Sequence, residues 1–147
     1  MAEKQQFSTF YVDHLYFGVE VEKVQEVLRH QEMTHVPLAP PVVRGLINLR
    51  GQIVTAIDLR RRLKLGEAPP EQFPMNVVIR TTDGVVSLLV DDIADVVEAG
   101  MESFERPPDT LDREVRRMIS GVHKLKERLM HVLDTEEVLK GFSEKQG

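Results

Sequence analysis

The stretch VRGLINLRGQIVTAIDLRRRL, residues 43–63, sets two apolar runs, GLINL and QIVTAID, on either side of Arg50 and Gly51. Ile, Val and Thr suit a pleated backbone and the pair between them breaks the run, so the stretch reads as two strands meeting at a turn. Arginine brings a planar fork of donors, and glycine brings permissive backbone beside it. Such a turn is suited to gripping a partner. It is equally suited to an internal ion pair, with Glu20, Glu26 or Asp58 as acceptor. Asp58 stands directly before LRRRLKLG, where a carboxylate accepts bonds from the free N–H groups of a short helix, and Gly66 provides a left-handed exit.

The same chemistry recurs outward along the chain. FSTFYVD, LYFGVEV, THVPLA, NVVIRT, VVSLLVD and RLMHVLD are further β-type runs separated by Gly, Pro and Asp. Asp13-His14 and Asp83-Gly84 each sit between two such runs and mark hairpins. In VEKVQEVLRH the apolar spacing suits a helical turn while the valines suit a strand. Many short strands with few long periodic segments point to a small barrel or sandwich.

Two halves of the chain match. Val21, Val24 and Val27 fall on Val90, Ile93 and Val96, each 69 positions later. Gly45, Leu49, Ile53, Ile57, Asp58 and Leu63 fall on Gly121, Leu125, Leu129, Leu133, Asp134 and Leu139, each 76 positions later. The added residues belong between Val97 and Gly121, where turn and cap residues allow a short helix. Pro40-Pro41 and Pro107-Pro108 precede the two later units, and Asp134 before TEEVLKG repeats the cap, with Gly141 as its exit. A half of about seventy residues has too little core to stand alone, so two similar subdomains should pack together, with a cleft between them as binding surface.

Composition removes several kinds of chemistry. None of the 147 residues is cysteine, which excludes disulfides, thiolate metal sites and cysteine nucleophiles. The net charge of −5 argues against nucleic acid. Arg60, Arg61 and Arg62 form the one basic run and read as a solvated helix face. No signal peptide or membrane-length apolar segment is visible, so the expected address is cytoplasmic without membrane insertion. His14, His30, His35, His123 and His131 lack metal-ligand spacing; His35 reads as a core or groove residue and His131 as outward-facing. Phosphate-binding glycine loops and serine nucleophile elbows are absent, so no cofactor is expected. Asp91 and Asp92 in LLVDDIADV, with Asp134, resemble the acidic pocket of a phospho-accepting receiver domain. Too little chain follows Asp92 for that fold, and Asp91 matches Glu22 in the repeat.

The string FGVEVEKVQEVLRHQEMTHVPLAPPVVRGLINLRGQIVTAIDLRRRL, with LLVDDIADV, ISGV and RLMHVLD after it, resembles the CheW family, the adaptors of bacterial chemotaxis arrays. Thr55 departs from the pattern, since many relatives have proline ahead of the DLR element, and this bears on strand-edge stiffness. The resemblance implies one CheW-like domain over residues 7–142, mainly β, made of two SH3-like five-stranded barrels with short capped helices. Residues 1–6 and 143–147 would be flexible termini. It further implies a non-catalytic adaptor, monomeric when free, that joins the cytoplasmic helical hairpin of chemoreceptors to the regulatory domain of the histidine kinase CheA. An adaptor of a non-flagellar chemosensory pathway is the alternative. Helix-in-groove docking would seat the receptor between the subdomains. Carried onto this chain, the family's contact positions are Val24, Glu26, Arg44, Gly45, Asn48 and Arg50, with Arg50 foremost. Taken by themselves, Val24 also reads as plain core, and Gly45 as a backbone requirement that Gly121 repeats.

Overall fold

A computed structural model describes residues 4–140. The first half runs β1 (Lys4–Val12), β2 (Leu15–Glu20), a 3-10 turn (Val21–Lys23), β3 (Val24–Leu28), β4 (Val43–Leu49), β5 (Gln52–Asp58) and α1 (Leu59–Arg62). The second runs β6 (Met75–Thr81), β7 (Gly84–Val90), β8 (Asp92–Ile93), β9 (Val97–Gly100), a 3-10 turn (Met101–Ser103), β10 (Phe104–Glu105), α2 (Arg113–Arg117), β11 (Ile119–Lys124), β12 (Leu129–Leu133) and α3 (Thr135–Val138). The ambiguous VEKVQEVLRH is therefore a helical turn and a strand in succession. THVPLA is not a strand. Its only ladder contact is Thr34 opposite Leu46, because Pro37, Pro40 and Pro41 leave the following backbone short of N–H donors. The chain is ordered earlier than expected: Lys4 already pairs with Gly100, so residues 4–6 belong to β1 and not to a flexible terminus. Gly141, residues 1–3 and residues 143–147 lie outside the described residues.

The repeat is visible in the ladders. Phe10 faces Phe17 in the first hairpin, and Ile79 faces Val86 in the second, each residue shifted by the same 69 positions. An edge strand then pairs with each hairpin through the same irregularity. Val24 faces Ile79 before the register slips at Glu26, and Ile93 faces Phe10 before the chain resumes with Val97 opposite Phe7. At the later offset, Asp58 N–H donates to the Val42 carbonyl (2.7 Å) and Asp134 N–H to the Met118 carbonyl (2.8 Å). Both aspartates cap their helices, accepting the N–H of Arg61 and of Glu137 at 3.2 Å.

Sheet membership follows a different rule. One sheet runs β3-β6-β7-β5-β4, and the other runs β10-β11-β12-β2-β1-β8, with β9 also on β1. Each half thus lends its hairpin to the other half's strands. The loans are sealed by two parallel seams, β5 on β7 and β12 on β2, at equivalent places. Neither half completes a sheet alone. The sheets are open and not the closed five-stranded barrels expected, since on the outer edge of β4 only Thr34 is bridged before the proline-rich segment leaves the ladder.

Three apolar clusters hold this arrangement. Eighteen buried residues, including Phe10, Phe17, Ile57, Leu88 and Leu133, fill the space between the sheets. The cleft expected there is core. Smaller clusters cover the other faces, around Ile47, Val54 and Val78 in one sheet and around Phe7, Tyr16 and Met130 in the other. Each fully buried side chain of this size stabilises by roughly 1.5–3 kcal/mol. Central strands are consequently covered on both faces, which corrects the outward placement of His131. It is 5% exposed, lies 5.6 Å from the Phe17 ring, and its Nδ1 bonds the Tyr16 carbonyl at 2.8 Å. His35, between the Thr34 bridge and the turn at Pro37, is exposed and belongs to neither core nor groove.

Candidate functional site

The turn between β4 and β5 is built by Arg50 and Gly51, both left-handed at φ 52 and 92. Two successive residues of that kind form the hairpin turn whose twist matches the flanking strands. Gly51 N–H donates to Asn48 Oδ1 at 2.8 Å, so Asn48 pins the turn from within. Arg50 projects from the tip with its side chain 70% exposed and one Nη bound to the carboxylate of Glu26 on β3. That bond holds the Glu26 carboxyl below its ordinary range. Of the three acceptors the sequence offered, Glu26 is the one used. Pairing and exposure coexist here: the guanidinium is oriented by Glu26 and still faces solvent.

Two apolar side chains nearby in the sheet are exposed. Ile53, directly opposite Asn48, is 61% exposed, and Val27, which follows Glu26 and points to the other face of β3, is 41% exposed. Neither was singled out from the sequence as a contact. Ile53 shares a face with Ile57, which is buried between the sheets, but stands at the hairpin-tip end of β5, where that face is no longer covered.

The other predicted contacts lie elsewhere. Arg44 shares the outward face of β4 with Asn48 but sits four residues away, about 13 Å along the strand. Its Nη1 donates to Asp58 Oδ2 at 3.1 Å, bracing the same carboxylate that caps α1. Gly45 is buried where a Cβ would lie 2.7 Å from the Thr34 carbonyl oxygen. Gly121 stands likewise against Glu105 O at 2.6 Å. Both glycines admit an intrachain neighbour. Val24 is half-buried against the inter-sheet core.

Of the three arginines of α1 only Arg61 stays exposed, and Arg60 and Arg62 are drawn inward, so the run is not the solvated face expected. Arg60 forks onto Asp91 through Nε and Nη2, at 2.9 and 2.7 Å, with both side chains 13% exposed, and Asp91 also accepts Asp13 N–H. Arg61 donates to the Pro41 carbonyl (2.9 Å) and to Glu67 (3.1 Å). Arg62 donates to the carbonyls of Val138 (2.6 Å), Lys140 (3.0 Å) and Glu137 (3.1 Å), capping α3 from the other half. Arg44, Asp58, Arg60, Arg61 and Asp91 also line a cavity of about 230 Å³ roofed by residues 67–74. Of the carboxylates that resembled a phosphoacceptor pocket, Asp91 is held by Arg60 and Asp134 is engaged as a cap, while Asp92 is exposed and accepts the adjacent Ile93 N–H. Among the described residues no three His, Asp or Glu side chains converge to hold a metal, and no helix is long and apolar enough to cross a membrane.

The repeat places a related surface on the second sheet. Val96 and Leu129, the counterparts of Val27 and Ile53, are exposed at 57% and 37%. Asp95 and Lys126, both exposed, stand where Glu26 and Arg50 stand, so the acid and the base recur, while the second turn adds a carboxylate, Glu127, where the first has Gly51.

Each sheet is completed by a hairpin from the other half of the chain, and the hairpin tips carry exposed side chains. The sequence profile of the CheW-like domain matches residues 6–142, and the chain belongs to that family. It is 27% identical over 135 residues to the chemotaxis protein CheW of Klebsiella aerogenes, spanning 92% of this chain and 81% of that one. With the chemotaxis protein CheW of Bacillus subtilis it shares 30% identity over 130 residues, 88% and 83% of the two chains. Its fold matches the crystal structure of the scaffolding protein TtCheW from Thermoanaerobacter tengcongensis with a TM-score of 0.84 at 23% identity, covering 95% and 94% of the chains.

Proposed function

We propose that this chain is a non-catalytic chemotaxis adaptor that couples the cytoplasmic helical tips of chemoreceptors to the regulatory domain of the kinase CheA, and that residues 7–142 act as one unit in the cytoplasm. The observation that carries this reading is the exposed, Glu26-oriented Arg50 at a braced hairpin tip, with exposed Ile53 on the strand that leaves it. An exposed guanidinium held in one orientation loses little freedom when it meets a carboxylate or a row of carbonyls, and apolar anchors beside it supply burial. The chemotaxis proteins related to it over most of their length support the same role. Bridging needs two faces, and the repeat supplies a second one that carries Glu127 where the first has Gly51.

Within this reading Arg50 and Glu26 are direct contacts. Asn48 shapes the turn that carries Arg50, and Arg44 extends the contact along β4. Gly45 and Val24 act through packing. Calorimetric titration of the chain with a receptor cytoplasmic fragment and with a CheA regulatory domain, singly and then together, tests the bridge. Simultaneous binding of both is expected. Mutual exclusion of the two partners would mean one shared face and no bridge.

A further inference from the structure

Leu38 combines two costs that a folded chain ordinarily avoids. Its backbone is left-handed, at φ 66, and its side chain is wholly exposed, at 103% of the reference area. The other non-glycine residues with positive φ are Asp13, Arg50 and Lys64. Each has a local reason: Asp13 and Arg50 sit in hairpin turns, and Lys64 follows the end of α1. Leu38 is the third residue of a turn in which Ala39 N–H donates to the Val36 carbonyl at 3.3 Å and Pro37 holds the second place. That slot calls for glycine, because a Cβ there crowds the following carbonyl. A lone exposed leucine carries no meaning by itself. One that occupies a strained slot while wholly exposed gains nothing for the fold, and that points to use.

The turn cannot relax on either side. Before it, Thr34 and Leu46 exchange two backbone bonds of 2.8 Å. After it, Val43 N–H binds the Pro40 carbonyl, Asp58 N–H binds the Val42 carbonyl, and Arg61 binds the Pro41 carbonyl. Leu38 is thus a fixed apolar knob on a rigid mount. The mount also selects its partner. Pro37, Pro40 and Pro41 offer no N–H, so the segment is a poor edge for an added strand. A partner whose own backbone is already satisfied, a helical surface, meets no such difficulty, and the hole among four side chains of a helix is shaped for a leucine. The knob lies three residues from Pro41, whose carbonyl Arg61 binds, and Arg61 and Arg44 share Asp58, so the mount is tied to the Arg44 end of the β4 contact proposed above.

We propose that Leu38 is an apolar anchor that inserts between side chains of the helical partner, the receptor hairpin in the adaptor reading on which this inference rests. Three variants test it in the full chain: Leu38→Gly, Leu38→Asn and Leu38→Met. Leu38→Gly and Leu38→Asn relieve the backbone, so their melting temperatures are expected to equal or exceed that of the wild type. Their affinity for a receptor cytoplasmic fragment is expected to fall about tenfold or more, as for loss of one buried leucine. Leu38→Met should retain affinity within about threefold, and binding to the CheA regulatory domain should not change in any of them. Unchanged receptor affinity in Leu38→Gly overturns the anchor. So does a loss confined to the kinase domain, or a wild-type dimer that Leu38→Gly dissociates. A wild type that binds neither fragment removes the adaptor reading and the anchor with it, whereas a wild type that binds while Leu38→Gly binds equally removes the anchor alone.

Discussion

Replacing Asp91 with alanine tests the claim that the arginines of α1 are structural clamps. The change removes a two-pronged acceptor from Arg60 and the acceptor of Asp13 N–H, and leaves a guanidinium only 13% exposed. Breaking a fully buried pair from one side costs about 3–5 kcal/mol. Here some solvent reaches both groups, and Asp13 Oδ1 at 3.4 Å offers Arg60 a substitute, so about 2–3 kcal/mol is expected. For a chain of this length each kcal/mol lowers the melting temperature by about 3 °C, which puts the shift at roughly 6–9 °C. Differential scanning calorimetry at neutral pH measures it. Arg117→Ala, which opens an exposed pair with Glu114, serves as control and should move the melting temperature by less than about 3 °C. Replacing both Arg60 and Asp91 with leucine should recover part of the loss, because no charge is then left unpaired. A shift for Asp91→Ala no larger than the control's would mean that Arg60 is solvated after all.

Three further outcomes are expected. Gly45→Ala drives a Cβ against the Thr34 carbonyl and should break both Thr34–Leu46 bonds, costing about 2 kcal/mol; faster amide exchange at Leu46 would register it, and lost partner binding in an equally stable variant would make Gly45 a contact instead. Arg62→Ala frees the last carbonyls of α3 and should cost about 1–2 kcal/mol, with exchange accelerating in α3 ahead of the sheets; uniform acceleration would contradict a local cap. Burial lowers the pKa of both His131 and His123. The unfolded chain therefore binds more protons below about pH 6.5, and stability present above that pH is lost as pH falls toward the folded values. Melting curves between pH 7.5 and 5 should show the loss, and His131→Phe should flatten it; an unchanged slope would place the titration elsewhere.

What the sequence disclosed was local. Turn chemistry at Asp13-His14 and Asp83-Gly84, the caps at Asp58 and Asp134, and the two offsets of the repeat all reappear as geometry, because each depends on neighbours a few residues away. Strand exchange was not legible, since an offset states which segments are alike and not which segments pair. His131 was misplaced for a related reason: alternation separates core from solvent only where one face is wet, and β12 is covered on both. The arginine run misled because charge is assigned to solvent by default, while Asp91 and the α3 carbonyls arrive from the other half of the chain. The Arg50 turn was legible as a site, but its choice of Glu26 depended on β3 approaching the tip of the β4–β5 hairpin.

The most direct test of the central claim is receptor-stimulated CheA activity in a reconstituted mixture, with the wild-type chain against Arg50→Ala. An exposed arginine contributes less than about 0.5 kcal/mol to folding, so the variant should melt within about 2 °C of the wild type while receptor-dependent kinase activity drops toward its level without adaptor. Full coupling by Arg50→Ala, or a variant that unfolds, would contradict the assignment of that hairpin tip as the docking element.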